Sequence, residues 1–349
     1  MDVTLRQLRD LSPLLVNTSV LRLGSAYEGT YISQLADFDA FLELNDSLLE
    51  VFQLERHEDG HVAAHLLPNV SQGMLSEELQ QLLTEDGYLD ARRVKRWTLD
   101  GLARAVERAA AEFPELTVAV TERQNVVGVR LRSEDAVVRV DFSAMIRTPL
   151  GWRALRPAAL RPCGVELRPR DRPARWHLFS RQDLKSPPPS DSSARLFAPD
   201  PLTVEQEVLQ RLPLVRRATR LLKMVAAARR WDIRFSLQSV VLKRAALKAF
   251  DALCDQRRPA PTLLSLVVSS LEILQRSVQR GMFSCFWIET PLNRLLEGLA
   301  EDQSKKQQLA AELNELAQIF SAARVEDIRL LFQMTCQNSP FRNHKSTFD

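Results

Sequence analysis

Alternating apolar and polar positions in the first half of the chain predict β-strands. In a strand, successive side chains point to opposite faces, so an apolar residue recurs at every second position. This alternation predicts strands over residues 37–44, 48–56, 61–67, 116–122, 126–132, 136–142 and 176–180. A three- and four-residue period predicts helices over residues 2–13, 74–84 and 90–113.

The second half of the chain has the period of helices throughout. Apolar residues recur at three- and four-residue spacing from about residue 203 to 331, as in helices with one buried face. Helices are predicted over residues 204–230, 237–254, 262–279 and 307–322. A Pro- and Ser-rich stretch at 186–193 predicts a flexible connector between the halves. We therefore expect an α+β fold, with strands and helices over 1–185 and a helical bundle over 200–340.

Composition adds little about partners but does limit the compartment. The chain has 349 residues, of which 45% are hydrophobic, enough for a sizeable core. Its 47 Lys and Arg nearly balance 44 Asp and Glu, so net charge selects no class of partner. Four widely separated cysteines indicate free thiols in a reducing compartment. With neither a signal peptide nor a transmembrane-length apolar run in the sequence, we expect a soluble cytoplasmic protein with no membrane partner; the nucleus is the alternative.

An acidic pair follows a Gly-Ser dipeptide near the start of the chain. Asp37 and Asp39 lie two residues apart on a predicted strand, so their side chains share one face. Paired carboxylates suit hard cations such as Mg²⁺. Gly24 and Ser25 offer backbone N–H groups and a hydroxyl, which are suited to holding a phosphate. The alternative is a solvated strand end of no chemical significance.

A third carboxylate occurs about a hundred residues later. Asp141 ends an alternating run and is in phase with Val137 and Arg139. An acidic residue on an otherwise buried strand is costly unless it is paired or bound to a metal. Three carboxylates and a phosphate-holding turn together predict a nucleotidyltransferase.

Three evenly spaced histidines are a weak indication of a zinc site. His57, His61 and His65 are spaced by four residues, which would align them on a helix. The intervening Asp-Gly turn instead predicts a loop at His57 and an exposed strand face for the other two.

The acidic motifs resemble those of the Mab-21 fold nucleotidyltransferases, the family of cyclic GMP–AMP synthase and the animal cGAS-like receptors. The resemblance includes Gly24-Ser25-x-x-Glu28-Gly29, Asp37-Phe38-Asp39 and Val140-Asp141-Phe142. Trp176-His177-Leu178-Phe179-Ser180 and Ser239-Val240-Val241-Leu242-Lys243 are similar to later family segments. It covers nearly the whole chain, and the aspartates with their Gly-Ser pair are its specific part.

The resemblance implies a two-metal reaction and a bilobed nucleotidyltransferase fold, with a mixed central sheet and a C-terminal helical bundle lobe. It implies that three aspartates hold two Mg²⁺ or Mn²⁺ ions, and that four further residues contact the nucleotide phosphates. The metal ligands would be Asp37, Asp39 and Asp141, and the phosphate contacts Gly24, Ser25, Lys223 and Ser239. The implied product is a cyclic dinucleotide made from ATP and GTP, or from other nucleoside triphosphates.

The resemblance also implies an activator and a downstream partner. Relatives are activated by double-stranded nucleic acid along a basic face, and double-stranded RNA is favoured over DNA here. Such duplexes are read by shape and backbone, so clustered Arg and Lys are sufficient. The candidate contacts are Arg92, Arg93, Lys95, Arg96, Arg216, Arg217 and Arg220, each of which could equally be an ordinary solvated residue. The product would act on a STING-type receptor in innate immune sensing.

Some positions depart from the family pattern. Val240 replaces a tyrosine that stacks on a base in relatives, and His177 replaces an arginine, so the bases used stay open. No cysteine lies between Trp176 and Lys223, so no zinc is expected. Two alternatives remain: a catalytically inactive Mab-21 fold scaffold or binding protein, and an RNA-tailing nucleotidyltransferase.

Overall fold

The computed structural model describes most of the chain in two compact units. The described residues are 2–23, 36–57, 61–114, 117–122, 127–132, 137–148, 176–180, 194–200, 202–255, 260–283, 299 and 302–322. The first unit comprises Met1–Ala154 with Arg168–Val208, and the second Leu155–Leu167 with Leu209–Asp349. Sheet and helices are thus segregated, as an α+β fold requires.

A mixed sheet forms the centre of the first unit. In the part of the chain described, its nine strands are β1 (Ser19–Leu23), β2 (Ala36–Leu44), β3 (Phe52–Arg56), β4 (Val62–Leu66), β5 (Thr117–Glu122), β6 (Val127–Arg132), β7 (Val137–Thr148), β8 (Trp176–Ser180) and β9 (Phe197–Asp200). The main order is β1-β2-β7-β8-β9-β4-β3, and β5 joins through β6 to β7. The β2–β7 pair is parallel, whereas the neighbouring β1–β2 and β6–β7 pairs are antiparallel.

Three helices of the first unit share a hydrophobic core with this sheet. They are α1 (Asp2–Arg9), α2 (Glu77–Gln81) and α3 (Ala91–Ala110), with α4 (Leu202–Arg211) at its end. Asp90 caps α3, because its carboxylate accepts hydrogen bonds from the backbone N–H groups of Arg92 and Arg93. Val94 and Leu102 of α3 share one hydrophobic core with the sheet. The residues of β2 and β7 that alternate with the core positions lie on the opposite sheet face.

The second unit is helical over its described residues. It contains α5 (Pro213–Ala228), α6 (Trp231–Phe235), α7 (Ser239–Asp255), α8 (Leu263–Arg280) and α9 (Gln303–Ala322). Trp231 and Arg234 of α6 both donate hydrogen bonds to the carboxylate of Glu312 on α9. None of the helices described in either unit has the length and apolarity needed to span a membrane.

The structure corrects several predicted boundaries. The single helix predicted over 204–230 is two helices, because Pro213 has no N–H to donate and starts a new helix instead. The helix predicted over 74–84 is a 3₁₀ turn followed by the short α2. The strand predicted over 48–56 is likewise a 3₁₀ turn followed by β3.

The boundary that matters most is that of β7. The predicted strand ends at Phe142, whereas β7 continues to Thr148. It continues because β7 pairs first with β6, through Val137–Phe142, and then with β8, through Ile146–Thr148. Asp141 therefore lies within a central strand and not at its end.

Candidate active site

Asp39 and Asp141 lie directly opposite each other on the parallel strands β2 and β7. Adjacent strands are about 4.8 Å apart, and residues in register share one face of the sheet. The side chain of Asp39 is exposed and that of Asp141 is 25% exposed. In the same register the backbone of Asp37 lies opposite Arg139; its side chain falls outside those described. The structure thus brings two of the three predicted carboxylate positions together.

The apolar residues between these aspartates determine which way they point. Ala40 on β2, and Val140 and Phe142 on β7, are buried in the core against α3. Because side chains alternate along a strand, burial of these neighbours leaves positions 39 and 141 on the other face. Core packing therefore orients the acidic residues.

Arg139 forms a bidentate ion pair with Asp141. Its Nε donates to Oδ1 at 3.1 Å and its Nη2 donates to Oδ2 at 3.0 Å. Both side chains are 25% exposed. The sequence shows the two residues in phase on one strand, but the ion pair itself was not predicted. Both carboxylate oxygens of Asp141 thus accept hydrogen bonds from the guanidinium group of Arg139.

Gly128 on β6 makes room for the carboxylate of Asp141. The two residues lie opposite each other in the antiparallel β6–β7 pair. A Cβ atom at position 128 would lie 3.1 Å from Oδ1 of Asp141, closer than nearly all such contacts. Sequence reasoning missed this residue, because its partner depends on the register between two strands.

The donor chemistry at this position fits a divalent cation. Asp39 and Asp141 supply carboxylate oxygens, the donors that Mg²⁺ and Mn²⁺ prefer. Gly128 leaves space beside one of those oxygens. Among the side chains that the structure describes, no three His, Cys, Asp or Glu could hold a metal together, and Asp37 is not among them. The fit therefore rests on Asp39, Asp141 and Gly128.

A buried polar pair lies farther along the same face. Nε2 of His177 is 3.0 Å from Oε1 of Glu43, and Ser19 donates a hydrogen bond of 2.8 Å to Oε2. Burial alone would raise the pKa of Glu43, but these hydrogen bonds, with the charges of His177 and Arg147, lower it below its usual value. His177 occupies a position at which the family has an arginine, and its Nε2 contacts Glu43.

Two aromatic rings lie on the aspartate face between these polar groups. Phe41 on β2 and Phe179 on β8 meet edge to face, with ring centroids 5.9 Å apart. Both are partly buried. They were not predicted as part of the site, because their meeting depends on strands far apart in sequence.

The predicted phosphate contacts are described only in part. Gly24 and Ser25 lie outside the described residues. Lys223 on α5 is buried, and Ser239 is the exposed first residue of α7. Both belong to the second unit. Their roles stay predictions.

The predicted basic contacts differ in their surroundings. Lys95 is 4% exposed and lines a small internal cavity with Leu44 and Leu178, so its ammonium group is not at the surface. Arg93 donates to the backbone carbonyls of Gln81 and Leu83 and pairs with Asp90. Exposed side chains are those of Arg93, Arg96, Arg217 and Arg220, whereas Arg92 and Arg216 are half-buried.

The structure describes the surroundings of His61 and His65. His61 is buried, so the predicted exposed face is wrong for this residue. The ring of His65 lies 4.4 Å from that of Tyr88, and its Nε2 is 3.2 Å from the carbonyl of Asp86. Each is therefore held within the first unit.

Comparison with known proteins identifies the domain that carries the site. Residues 26–194 match the family model of the Mab-21 protein nucleotidyltransferase domain. The match includes Asp37, Asp39 and Asp141, and the observed mixed sheet with helices agrees with that fold. No curated protein matches the chain significantly. The resemblance is thus confirmed over this part of the chain: residues 26–194 are a Mab-21 nucleotidyltransferase domain.

Proposed function

We propose that the chain is a metal-dependent nucleotidyltransferase that makes a cyclic dinucleotide from ATP, GTP or other nucleoside triphosphates. The observation that carries the proposal is the register of Asp39 with Asp141 on adjacent parallel strands. The Mab-21 nucleotidyltransferase domain supports it, since such a domain implies nucleotide substrates.

The residues of this chain have distinct roles in the proposed reaction. Asp37, Asp39 and Asp141 hold two Mg²⁺ or Mn²⁺ ions, which supply activation of a ribose hydroxyl and charge neutralisation on the pyrophosphate. Gly24 and Ser25 orient the triphosphate through backbone N–H groups and a hydroxyl. Two further residues, Lys223 and Ser239, contact phosphate oxygens, as the resemblance implies.

The electrostatics of the described face support a cation there. Asp39 and Asp141 are directly opposed, and like charges in such pairs destabilise a sheet. Arg139 offsets part of this repulsion by its contacts with Asp141. A divalent cation between hard oxygen ligands offsets it more fully.

The proposed activator is double-stranded RNA, with double-stranded DNA as the alternative. Exposed arginines of the protein would contact the phosphate backbone of the duplex, because counterion release from phosphates needs only cationic side chains. Arg96 on α3 and Arg217 and Arg220 on α5 have exposed side chains. The product would act on a STING-type receptor in innate immune signalling.

The test is a product assay with all four radiolabelled nucleoside triphosphates. The purified chain is incubated with Mg²⁺ or Mn²⁺, with and without duplex RNA or DNA, and phosphatase-treated products are separated by thin-layer chromatography. We expect a duplex-dependent, phosphatase-resistant product that is lost in Asp39→Asn and Asp141→Asn. Glu50→Gln, at an exposed acidic residue of the same unit, is the matched control. No product despite confirmed duplex binding would exclude the proposal.

A second candidate, an inactive Mab-21 fold scaffold, is favoured by the engagement of both Asp141 oxygens with Arg139. A scaffold would bind a nucleotide or a protein without turnover, and Asp39→Ala would then leave the cellular phenotype unchanged. An RNA-tailing enzyme would be recognised in a separate assay, in which it would elongate a labelled RNA primer into linear products.

A further inference from the structure

A guanidinium group lies on one of the two opposed carboxylates of the candidate site. Arg139 donates one hydrogen bond to each oxygen of Asp141, at 3.1 and 3.0 Å. Such bidentate charge-assisted pairs are among the stronger hydrogen-bonded contacts in proteins. The oxygens that a metal ion would need at Asp141 are therefore the oxygens that Arg139 holds.

The ion pair of Arg139 with Asp141 is also accessible to solvent. Both side chains are 25% exposed, so a cation from solvent can reach the carboxylate without local unfolding. In the register, Arg139 lies opposite the backbone of Asp37, and Asp141 lies opposite Asp39. Arg139 is thus positioned among the three predicted ligands and not at the edge of the set.

The ion pair of Arg139 with Asp141 lies within a single strand. Arg139 and Asp141 belong to the same strand, two residues apart, so their ion pair links no two elements of the fold. The residue opposite Arg139 on β6 is Arg130, and like charges in directly opposed pairs destabilise a sheet. The contact of Arg139 with the carboxylate of Asp141 is therefore local to β7.

We infer that Arg139 is a tethered counter-ion that competes with divalent metal for Asp141. This inference rests on the proposed function, in which Asp141 is a metal ligand. Without metal, the guanidinium neutralises the carboxylate and reduces its repulsion with Asp39. Metal binding displaces Arg139, so the metal affinity of the site is lower than its carboxylates alone would give. Arg139 thereby sets the metal concentration at which the site fills.

The experiment measures metal binding and not activity. Mn²⁺ is titrated into the purified full chain at fixed ionic strength, and free Mn²⁺ is followed by electron paramagnetic resonance. Four proteins are compared: wild type, Arg139→Ser, Arg139→Gln and the control Arg130→Ser. The control removes an equal charge from the opposed position of the neighbouring strand, where the side chain is exposed.

We expect Arg139→Ser and Arg139→Gln to bind Mn²⁺ about tenfold more tightly than wild type, because the competing ion pair is absent. Arg130→Ser removes an equal charge but leaves the ion pair of Arg139 with Asp141 in place, so its affinity should change by less than about threefold. Without metal, both Arg139 variants should melt at a lower temperature than wild type and should gain more from added Mn²⁺.

The outcomes separate the inference from the proposed function. Equal Mn²⁺ affinity in wild type and both Arg139 variants, with loss of binding in Asp141→Asn, would overturn the inference and leave the metal site in place. Binding by none of the proteins would overturn both. Arg139→Gln removes the charge but keeps a polar, unbranched side chain, so circular dichroism of this variant checks that a changed affinity does not reflect misfolding.

Discussion

His177 and Glu43 form a hydrogen-bonded pair buried inside the sheet face that carries the aspartates. We expect His177→Ala to destabilise the first unit by about 1.5–3 kcal/mol, since it removes one hydrogen bond from a buried carboxylate and leaves that of Ser19. Urea unfolding followed by circular dichroism measures the loss. His65→Ala, at a half-exposed histidine of strand β4 in the same sheet, should cost much less. Equal losses would contradict the buried pair as the cause.

Glu43 should make stability depend on acid pH. Its pKa in the folded chain is lowered from 4.5, so the folded state favours the ionised carboxylate more than the unfolded state does. The resulting stabilisation is fully present above 4.5 and is lost as pH falls through the lowered pKa. Thermal melts of wild type and Glu43→Gln between pH 7 and pH 3 test this. The difference between the two proteins should shrink toward low pH, and a constant difference would count against it.

Gly128→Ala should impair the site more than the fold. The new Cβ would lie 3.1 Å from Oδ1 of Asp141, which forces the carboxylate or the strand to shift. We expect about 1–3 kcal/mol of destabilisation, typical of overpacking, together with a Mn²⁺ affinity at least about tenfold weaker.

Gly73→Ala is the matched control for this substitution, because no atom lies within 4 Å of a Cβ at that position. It should leave Mn²⁺ binding unchanged. Wild-type Mn²⁺ affinity in Gly128→Ala, in a folded protein, would remove Gly128 from the site.

Reversal of two exposed charges should weaken the proposed duplex binding. The double variant Arg217→Glu, Arg220→Glu changes two exposed residues of α5. We expect affinity for duplex RNA to fall at least about tenfold, and the slope of log affinity against log salt to fall by about 0.9 for each lost phosphate contact. Arg280→Glu, at an exposed residue of α8 in the same unit, is the control. Unchanged affinity and slope in the double variant would exclude α5 as a contact.

The alternation of apolar and polar residues was sufficient to predict the face on which the aspartates lie. Ala40 and Phe142 are buried, which turns the aspartates beside them to the other face. This holds for every pairing of β2 with β7 in which the buried positions of the two strands stay on the same face. Local signals also located α3 and β8 to within a few residues. The break at Pro213 was missed because the apolar period continues across it.

Contacts between distant strands could not be predicted in the same way. That Gly128 lies beside Asp141 depends on how β6 aligns with β7, and no local pattern determines this alignment. That His177 reaches Glu43 depends on β7 taking β8 as a partner after β6. The residues of the site on one strand were therefore predictable, and the groups that surround them were not.

The parallel pairing of β2 with β7 also has a consequence for biogenesis. Its two aspartates come from segments about a hundred residues apart in the chain, and such distant pairings are slow to form because a large loop must close first. A nascent chain that has emerged only as far as β2 has the first two aspartates without the third. The proposed metal site therefore requires the completed fold, and a chain ending before β7 would lack the carboxylate of Asp141.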